Sequence, residues 1–439
     1  MAKRGLLWGC LALCVFGTAW AEGVDPKLQS AKATFLTAFK KKTPPERVLA
    51  TTALGEFPRK DVVDLLLNKG CVDTDPSVRF SARKALTKLS EDRAIRQSLF
   101  EDWQRGLKKT QPHWADLLRA LAATADDSQQ AALVEDLNTL LSGPNADLRT
   151  PISVIDDYAD QGDEQALTAV KLLLRVKLFE TNFAYRRTIV QAAARIKSQG
   201  AIGVLIDALE KSQGLIQSDI VVALTRITGQ KFRDKHADWK AWWEKNEAQF
   251  EYPSTLGPPY DPNEPHGASF YGMPICAKRV VLILDTSSSM RGVPIEAAKK
   301  ALLATIESLP EAVYFDVIVF DEEVAAWKYR LVPATREAKA EVSVNISNRS
   351  LGPATSSFKA LRTAFDLQPE AIYFLSDGQP TDASPAQIIE AMSYANRVRR
   401  ISIFTVGVVT DRVKGGGEGL TRFMAPLSER NWGEFLLVE

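Results

Sequence analysis

The chain has 439 residues, 55 Lys plus Arg against 54 Asp plus Glu, and 45% hydrophobic residues. That length and apolar content support two or more cores. A charge balance this even gives no global electrostatic reason to expect nucleic acid as a partner.

The first 21 residues read as a signal peptide. Lys3 and Arg4 form a basic start, Leu6 to Phe16 a short apolar core, and Ala19-Trp20-Ala21 a small-x-small cleavage site. The apolar stretch is too short to span a bilayer. Cys10 and Cys14 raise a lipoprotein alternative, but Leu7-Trp8-Gly9-Cys10 comes too early and Leu13 fits poorly before Cys14. Loss of the leader leaves 53 basic residues against 54 acidic. No later segment has the length and apolarity of a membrane span, so the expected location is secreted or periplasmic. Cys71 and Cys276 then remain, in different candidate domains, and their spacing leaves pairing open.

Residues 22–250 read as an all-helical domain. Apolar residues recur at helical spacing between turn signals such as Thr43-Pro44-Pro45, Asp73-Thr74-Asp75-Pro76, Gly143-Pro144-Asn145 and Gly200. Val78, Ala82, Ala85 and Leu86 share their spacing with Ile216, Ile220, Ala223 and Leu224, and Arg186, Val190, Ala193 and Ala194 follow it loosely. Val204 to Leu209 is a partner helix. Asp75-Pro76-Ser77-Val78-Arg79 followed by the small alanines resembles the first helix of a HEAT-type repeat, which implies a HEAT-like solenoid of stacked helix pairs. The period is irregular and residues 91–180 match poorly, which leaves an irregular bundle as the alternative. Trp239, Trp242 and Trp243 share a helix face, either to close the helical stack or to meet a partner.

Residues 251–270 carry five prolines and two tyrosines and read as an extended linker, or as a strap packed along the next domain. From residue 271 onward strands and helices alternate. Strands are expected at 278–284, 313–320, 324–330, 371–376, 400–408 and 433–438. Helices are expected at 293–308, 334–347, 357–366, 384–398 and 419–429. Such alternation implies a mainly parallel, doubly wound sheet with helices on both faces, an α/β fold of Rossmann-like type. Gly415-Gly416-Gly417 marks a loop near the sheet's C-terminal rim.

The most informative string is Val280-Val281-Leu282-Ile283-Leu284-Asp285-Thr286-Ser287-Ser288-Ser289. A strand-length apolar run ends in a carboxylate with hydroxyls at alternate positions. These oxygen ligands suit a hard cation such as Mg²⁺ or Mn²⁺, with Ca²⁺ as a further option. Leu351 to Ser357 places Thr355 in a turn before a helix, and Ile372 to Gly378 is another apolar strand ending in Asp377.

These three pieces together resemble the von Willebrand factor type A domain, over residues 271–439. The resemblance implies a metal-ion-dependent adhesion site formed by Asp285, Ser287, Ser289, Thr355 and Asp377. It also implies a protein partner that offers an acidic side chain to the ion. Ser288 and Pro353-Ala354 depart from the family's usual glycines without removing a ligand. Thr228 to Phe232, leading into the Trp-rich helix, resembles the close of helical-repeat regions in exported bacterial proteins that also carry a type A domain.

Enzyme signatures are missing: there is no Gly-x-Ser-x-Gly, His-Glu-x-x-His or Gly-x-x-x-x-Gly-Lys, and His113, His236 and His266 are scattered. The expected function is metal-dependent protein binding, with the helical region as a second interaction surface. Two alternatives stand beside it. One is an envelope assembly factor whose metal site only stabilises the fold; the other is a metal-dependent hydrolase of unrecognised type.

Overall fold

The computed structural model describes residues 25–41, 43–107, 114–141, 148–257, 267–410 and 417–438. The leader, Gly143-Pro144-Asn145, Pro258 to His266, His113 and the loop at 411–416 lie outside these residues. Two compact units divide between Glu101 and Asp102.

The chain is all-helical from residue 26 to 250 and α/β thereafter. The first helices are α1 (Pro26–Lys41), α2 (Pro44–Leu54), α3 (Lys60–Leu65), α4 (Pro76–Leu89) and α5 (Arg93–Leu107). Asp75 starts α4 as its N-cap, accepting the Ser77 N–H at 2.9 Å, with Pro76 in the first turn where its missing N–H costs nothing. Val78, Ala82, Ala85 and Leu86 are all buried. Small residues bring α2 and α4 together: a Cβ built on Gly55 would lie 2.6 Å from the Ala85 Cβ, so any side chain there forces the helices apart. The alanine pattern thus reports close helix packing.

The later helices are α6 (Trp114–Thr124), α7 (Asp127–Leu141), α8 (Arg149–Gln161), α9 (Glu164–Leu173), α10 (Leu178–Thr181), α11 (Phe183–Arg195), α12 (Gln199–Glu210), α13 (Gly214–Thr228) and α14 (His236–Asn246). Asn182 and Ser198 cap α11 and α12. Ile216, Ile220 and Leu224 are buried on α13. On α14, Trp239 and Trp243 are buried, and Phe232 meets Trp239 edge-on at 5.0 Å. Those two rings therefore serve packing; Trp242 is only half-buried.

The α/β region opens with a hairpin, β1 (Ser269–Phe270) and β2 (Met273–Pro274), whose Phe270 and Met273 are buried in the core. The sheet contains β3 (Arg279–Asp285), β4 (Tyr314–Phe320), β5 (Val324–Ala326), β6 (Val332–Pro333), β7 (Ala371–Ser376), β8 (Ser402–Val408) and β9 (Phe435–Val438). Its order is β5-β4-β3-β7-β8-β9, with β6 also paired to β4. β4, β3, β7, β8 and β9 run parallel, while β5 and β6 are antiparallel to β4. The helices are α15 (Val293–Ser308), α16 (Arg336–Ser347), α17 (Ser357–Asp366), α18 (Pro385–Asn396) and α19 (Glu418–Glu429).

Alternation along β3 separates two cores. Val280, Leu282 and Leu284 join Leu302, Ile306, Val342 and Ile346 under α15 and α16. Val281 and Ile283 join Leu361, Ile388, Phe423 and Leu427 under α17, α18 and α19. Each such fully buried aliphatic side chain contributes about 2 kcal/mol by removal from water. A strand buried on both faces reads as an unbroken apolar run, as β3 does.

The strand expected at 324–330 is shorter than its sequence pattern. It stops at Ala326, and β6 resumes pairing at Val332. The buried Asp316 carboxylate explains the interruption, since it accepts the Lys328 N–H at 3.1 Å and also the N–H groups of Tyr329 and Arg330. A side chain takes the place of the ladder, and Tyr329 turns to φ 54°.

Arg187 of α11 joins the helices to the sheet within the unit that begins at Asp102. Its side chain is 2% exposed. Nε donates to Asp219 of α13 at 2.7 Å, one terminal nitrogen donates to the Arg400 carbonyl at 2.5 Å and the other to the Ser402 hydroxyl at 2.9 Å. Arg187→Met should therefore cost about 3 kcal/mol, the order expected when one partner of a buried, hydrogen-bonded charge pair is removed. Urea unfolding of the full chain measures it, and a loss below about 1 kcal/mol contradicts this role.

Candidate metal centre

Parallel pairing brings strand ends to one level. Asp285 lies opposite Phe320 of β4, and Leu284 lies opposite Leu375 of β7. The residues that follow those strands therefore meet at the C-terminal edge of the sheet, where open α/β folds place their sites.

The loop after β3 is pinned first by Thr286, whose N–H donates to the Phe320 carbonyl at 2.7 Å. Asp285 Oδ1 accepts the Ser287 N–H at 2.8 Å, a local turn that lifts the next hydroxyls to the same side. Ser287 Oγ lies 2.8 Å from Ser289 Oγ. Ser289 Oγ donates to Asp377 Oδ1 at 2.7 Å, and the Thr410 hydroxyl donates to Asp377 Oδ2 at 3.2 Å. Ser376 donates its hydroxyl to Asp285 Oδ2. Thr355 faces this group: a Cβ built on Gly378 would lie 3.5 Å from Thr355 Oγ1 and 3.9 Å from Ser289 Oγ. All five residues expected from the sequence are thus brought together, four of them in one hydrogen-bonded chain.

Electrostatics separate this cluster from an ordinary helix cap. Asp285 is fully buried, and burial pushes its carboxyl up to about 7. Hydrogen bonds from Ser376 and Ser287 oppose that rise, while the neighbouring Asp377 charge adds to it. Two neighbouring carboxylates, each hydrogen-bonded within the same group of loops, make a site that a positive charge would relieve. The donors are all oxygens, the chemistry of a hard divalent ion. Among the described residues no group of three or more His, Cys, Asp or Glu is arranged to hold a metal ion.

Several supporting residues escaped the sequence reading. Asp321, just beyond β4, ties three loops together. Its side chain accepts Arg349 at 2.9 Å and the Thr286 hydroxyl at 3.3 Å, and its carbonyl accepts the Ser356 N–H at 2.8 Å. Asp382 caps α17 by accepting the Phe358 and Lys359 N–H groups at 3.1 and 2.9 Å. Thr381 holds Thr355 on both sides of its backbone, through Oγ1 to its N–H at 3.1 Å and through its own N–H to the Thr355 carbonyl at 2.9 Å. An Asp at the end of a strand parallel to β3 was the available signal for Asp321.

Gly352 is required by close approach. Its carbonyl accepts the Ser288 N–H at 2.7 Å, its N–H reaches the Thr286 carbonyl at 3.0 Å, and an added Cβ would sit 2.5 Å from Asp321 Cγ.

Residues 278–413 match the family described as von Willebrand factor type A domain. The C-terminal α/β region is a domain of that class. Its relatives include von Willebrand factor A domain-containing protein 3B of Homo sapiens, 28% identical over 158 residues, which are 36% of this chain and 11% of that protein. Inter-alpha-trypsin inhibitor heavy chain H3 of Bos taurus is 42% identical over 72 residues, 16% of this chain and 8% of that one. The chain thus spans only a small part of these relatives' length. Among solved structures, a von Willebrand factor type A protein from Catenulispora acidiphila is 19% identical with a TM-score of 0.33, covering 38% of this chain and 39% of that one.

Gly352→Ala should displace the Asp321 side chain and cost about 2 kcal/mol, as overpacking in a tight site does. Denaturant unfolding of the full chain checks this. Stability equal to wild type would show that the loop holds no such constraint.

Proposed function

We propose that this chain is an exported, non-enzymatic protein that binds a protein partner through a divalent ion. Asp285, Ser287, Ser289, Thr355 and Asp377 would hold Mg²⁺, or Mn²⁺ or Ca²⁺ in its place. The observation that carries this reading is the hydrogen-bonded run from Asp285 through Ser287 and Ser289 to Asp377 at one sheet edge. When bound, the ion would supply a positive centre to which a partner's carboxylate can attach. Asp285, buried, contributes charge from beneath. Ser287 and Ser289 present hydroxyl oxygens along one turn, and Thr355 presents a third from the opposite loop. Asp321, Arg349 and Thr381 hold those loops in place.

A binding role fits the cluster better than a catalytic one. The functional groups described at the edge are themselves the oxygen donors. The one described histidine, His236, starts α14. The helical region, read as a HEAT-like solenoid, would offer a second extended surface. No helix of the described residues is long and apolar enough to cross a membrane. With the leader read at residues 1–21, we place the mature protein in the periplasm or outside the cell.

A second reading, that the ion serves stability alone, draws on the burial of Ser287, Thr355 and Asp377, each at most 6% exposed. Calorimetric titration of the full chain with Mn²⁺ tests the site. Asp285→Asn keeps the shape and an accepting oxygen, and should weaken binding by at least roughly tenfold, the smaller end of what lost metal-supporting groups cost. Unchanged affinity would refute the assignment. Capture of envelope proteins in Mg²⁺, in EDTA and by Thr355→Ala separates the two readings. Partner capture lost in both of the latter supports binding through the ion. Capture equal in all three, with melting lowered by EDTA, supports the stabilising role.

A further inference from the structure

A second feature lies at the other end of the sheet. Arg400 stands two residues before β8 and Thr410 two residues after it. A seven-residue strand at about 3.3 Å per residue separates the two ends by roughly 20 Å. At the Arg400 end, between α8 and α11 on one side and α18 on the other, is a cleft of about 1080 Å³. That volume is slightly above the ~300–1,000 Å³ that hold drug-sized ligands, and it accommodates a short peptide.

The cleft carries a surplus of positive charge. Arg149, Arg195, Lys197, Arg226, Arg397 and Arg400 line it, against Asp156 and Asp160. Both carboxylates are already engaged. Asp156 is shared between Arg195 and Arg400, and Asp160 lies 3.6 Å from Arg195. One carboxylate thus serves two guanidinium groups. Arg400 is 5% exposed, and its Nε has no hydrogen-bond partner among the described residues. Lys197 and Arg397 are exposed at the rim.

The rest of the lining is apolar and aromatic. Trp432 lies under the Arg400 guanidinium at 4.9 Å, and Tyr394 under that of Arg397 at 5.6 Å. Ile152, Leu256 and Val398 complete the wall. Guanidinium forks pair bidentately with carboxylates, and aromatic faces hold them in orientation. A recessed cleft with an apolar wall favours a short chain that carries both carboxylates and an apolar side chain. A nucleic-acid strand would need a continuous cationic track, and Asp156 and Asp160 interrupt this one.

We propose that this cleft binds an acidic peptide segment of a partner protein, without a metal ion and independently of the sheet's opposite edge. Lys197 and Arg397 receive its carboxylates, and the wall beside Trp432 receives its apolar side chain.

The test uses the full chain in EDTA, so that carboxylate binding to an ion cannot contribute. Fluorescein-labelled tetrapeptides, each with at least two Asp or Glu and one Leu or Phe, are compared by anisotropy with their Asn and Gln counterparts. Wild type should prefer acidic members by roughly tenfold or more, and K197Q/R397Q should remove about that factor, the sum of two modest charge pairs. Melting should be unchanged in that variant because both side chains are exposed. The remote pair K240Q/K245Q on α14 should bind as wild type. Equal binding of acidic and amide peptides, or equal loss in both double variants, overturns the proposal. So does displacement of the peptides by inorganic polyphosphate or a short oligonucleotide at lower concentration than by unlabelled peptide.

Discussion

The parallel register of β3 with β4 and β7 is the constraint on which the candidate metal centre depends. Three strands end at one level, so Asp285, Asp321 and Ser376 meet at a single edge. None of the three could do so if one strand slipped by a residue, because a slip turns every side chain to the opposite face. The apolar alternation of β3 prevents it, with Val280, Leu282 and Leu284 buried on one face and Val281 and Ile283 on the other. The same packing that stabilises the sheet therefore holds a buried carboxylate where burial alone would favour its neutral form. The surrounding hydroxyl and amide donors offset part of that penalty.

The second constraint lies within the helices that share a unit with the sheet. Arg187 and Arg400 are both nearly buried, and each makes hydrogen bonds across the junction of helix and strand. Arg187 reaches a carbonyl and a hydroxyl beside β8, and Arg400 reaches Asp156 and Gln191 on α8 and α11. Trp432 lies beside both guanidinium groups. Charges held this way give orientation more than net stability, since desolvation cancels much of their attraction. They also shape the cationic cleft, which exists only because α8 and α11 stand against α18.

Much of this was legible in the sequence where local pattern and tertiary role coincide. β3 reads as an apolar run because both of its faces are covered. Asp285, Ser287 and Ser289 sit in one turn, and Thr355 and Asp377 each follow a recognisable signal, a turn before a helix and the end of an apolar strand. Other residues take their meaning from distant partners. Arg187 looks like any helical cation, yet its decisive acceptors lie 213 and 215 residues away. Asp321 runs into Glu322-Glu323 and reads as solvated surface, whereas it anchors Arg349 and Thr286. The strand pattern at 324–330 overran because Asp316, not a neighbouring strand, accepts the backbone after Trp327. The helical character of residues 26–250 was legible, and the HEAT-like reading rested on Asp75-Pro76 and the alanines of α4; the packing there also relies on small residues, such as Gly55 against Ala85, that periodicity alone does not weigh.

The central claim is that the oxygen cluster at this edge is a divalent-ion site. Anomalous diffraction from crystals of the full chain grown with Mn²⁺ tests it most directly. The account predicts a peak among the Ser287, Ser289 and Thr355 hydroxyl oxygens, with Asp285 and Asp377 around it, and loss of that peak in Asp285→Asn crystals. A peak elsewhere on the chain, or no peak at this edge at saturating Mn²⁺, would contradict it.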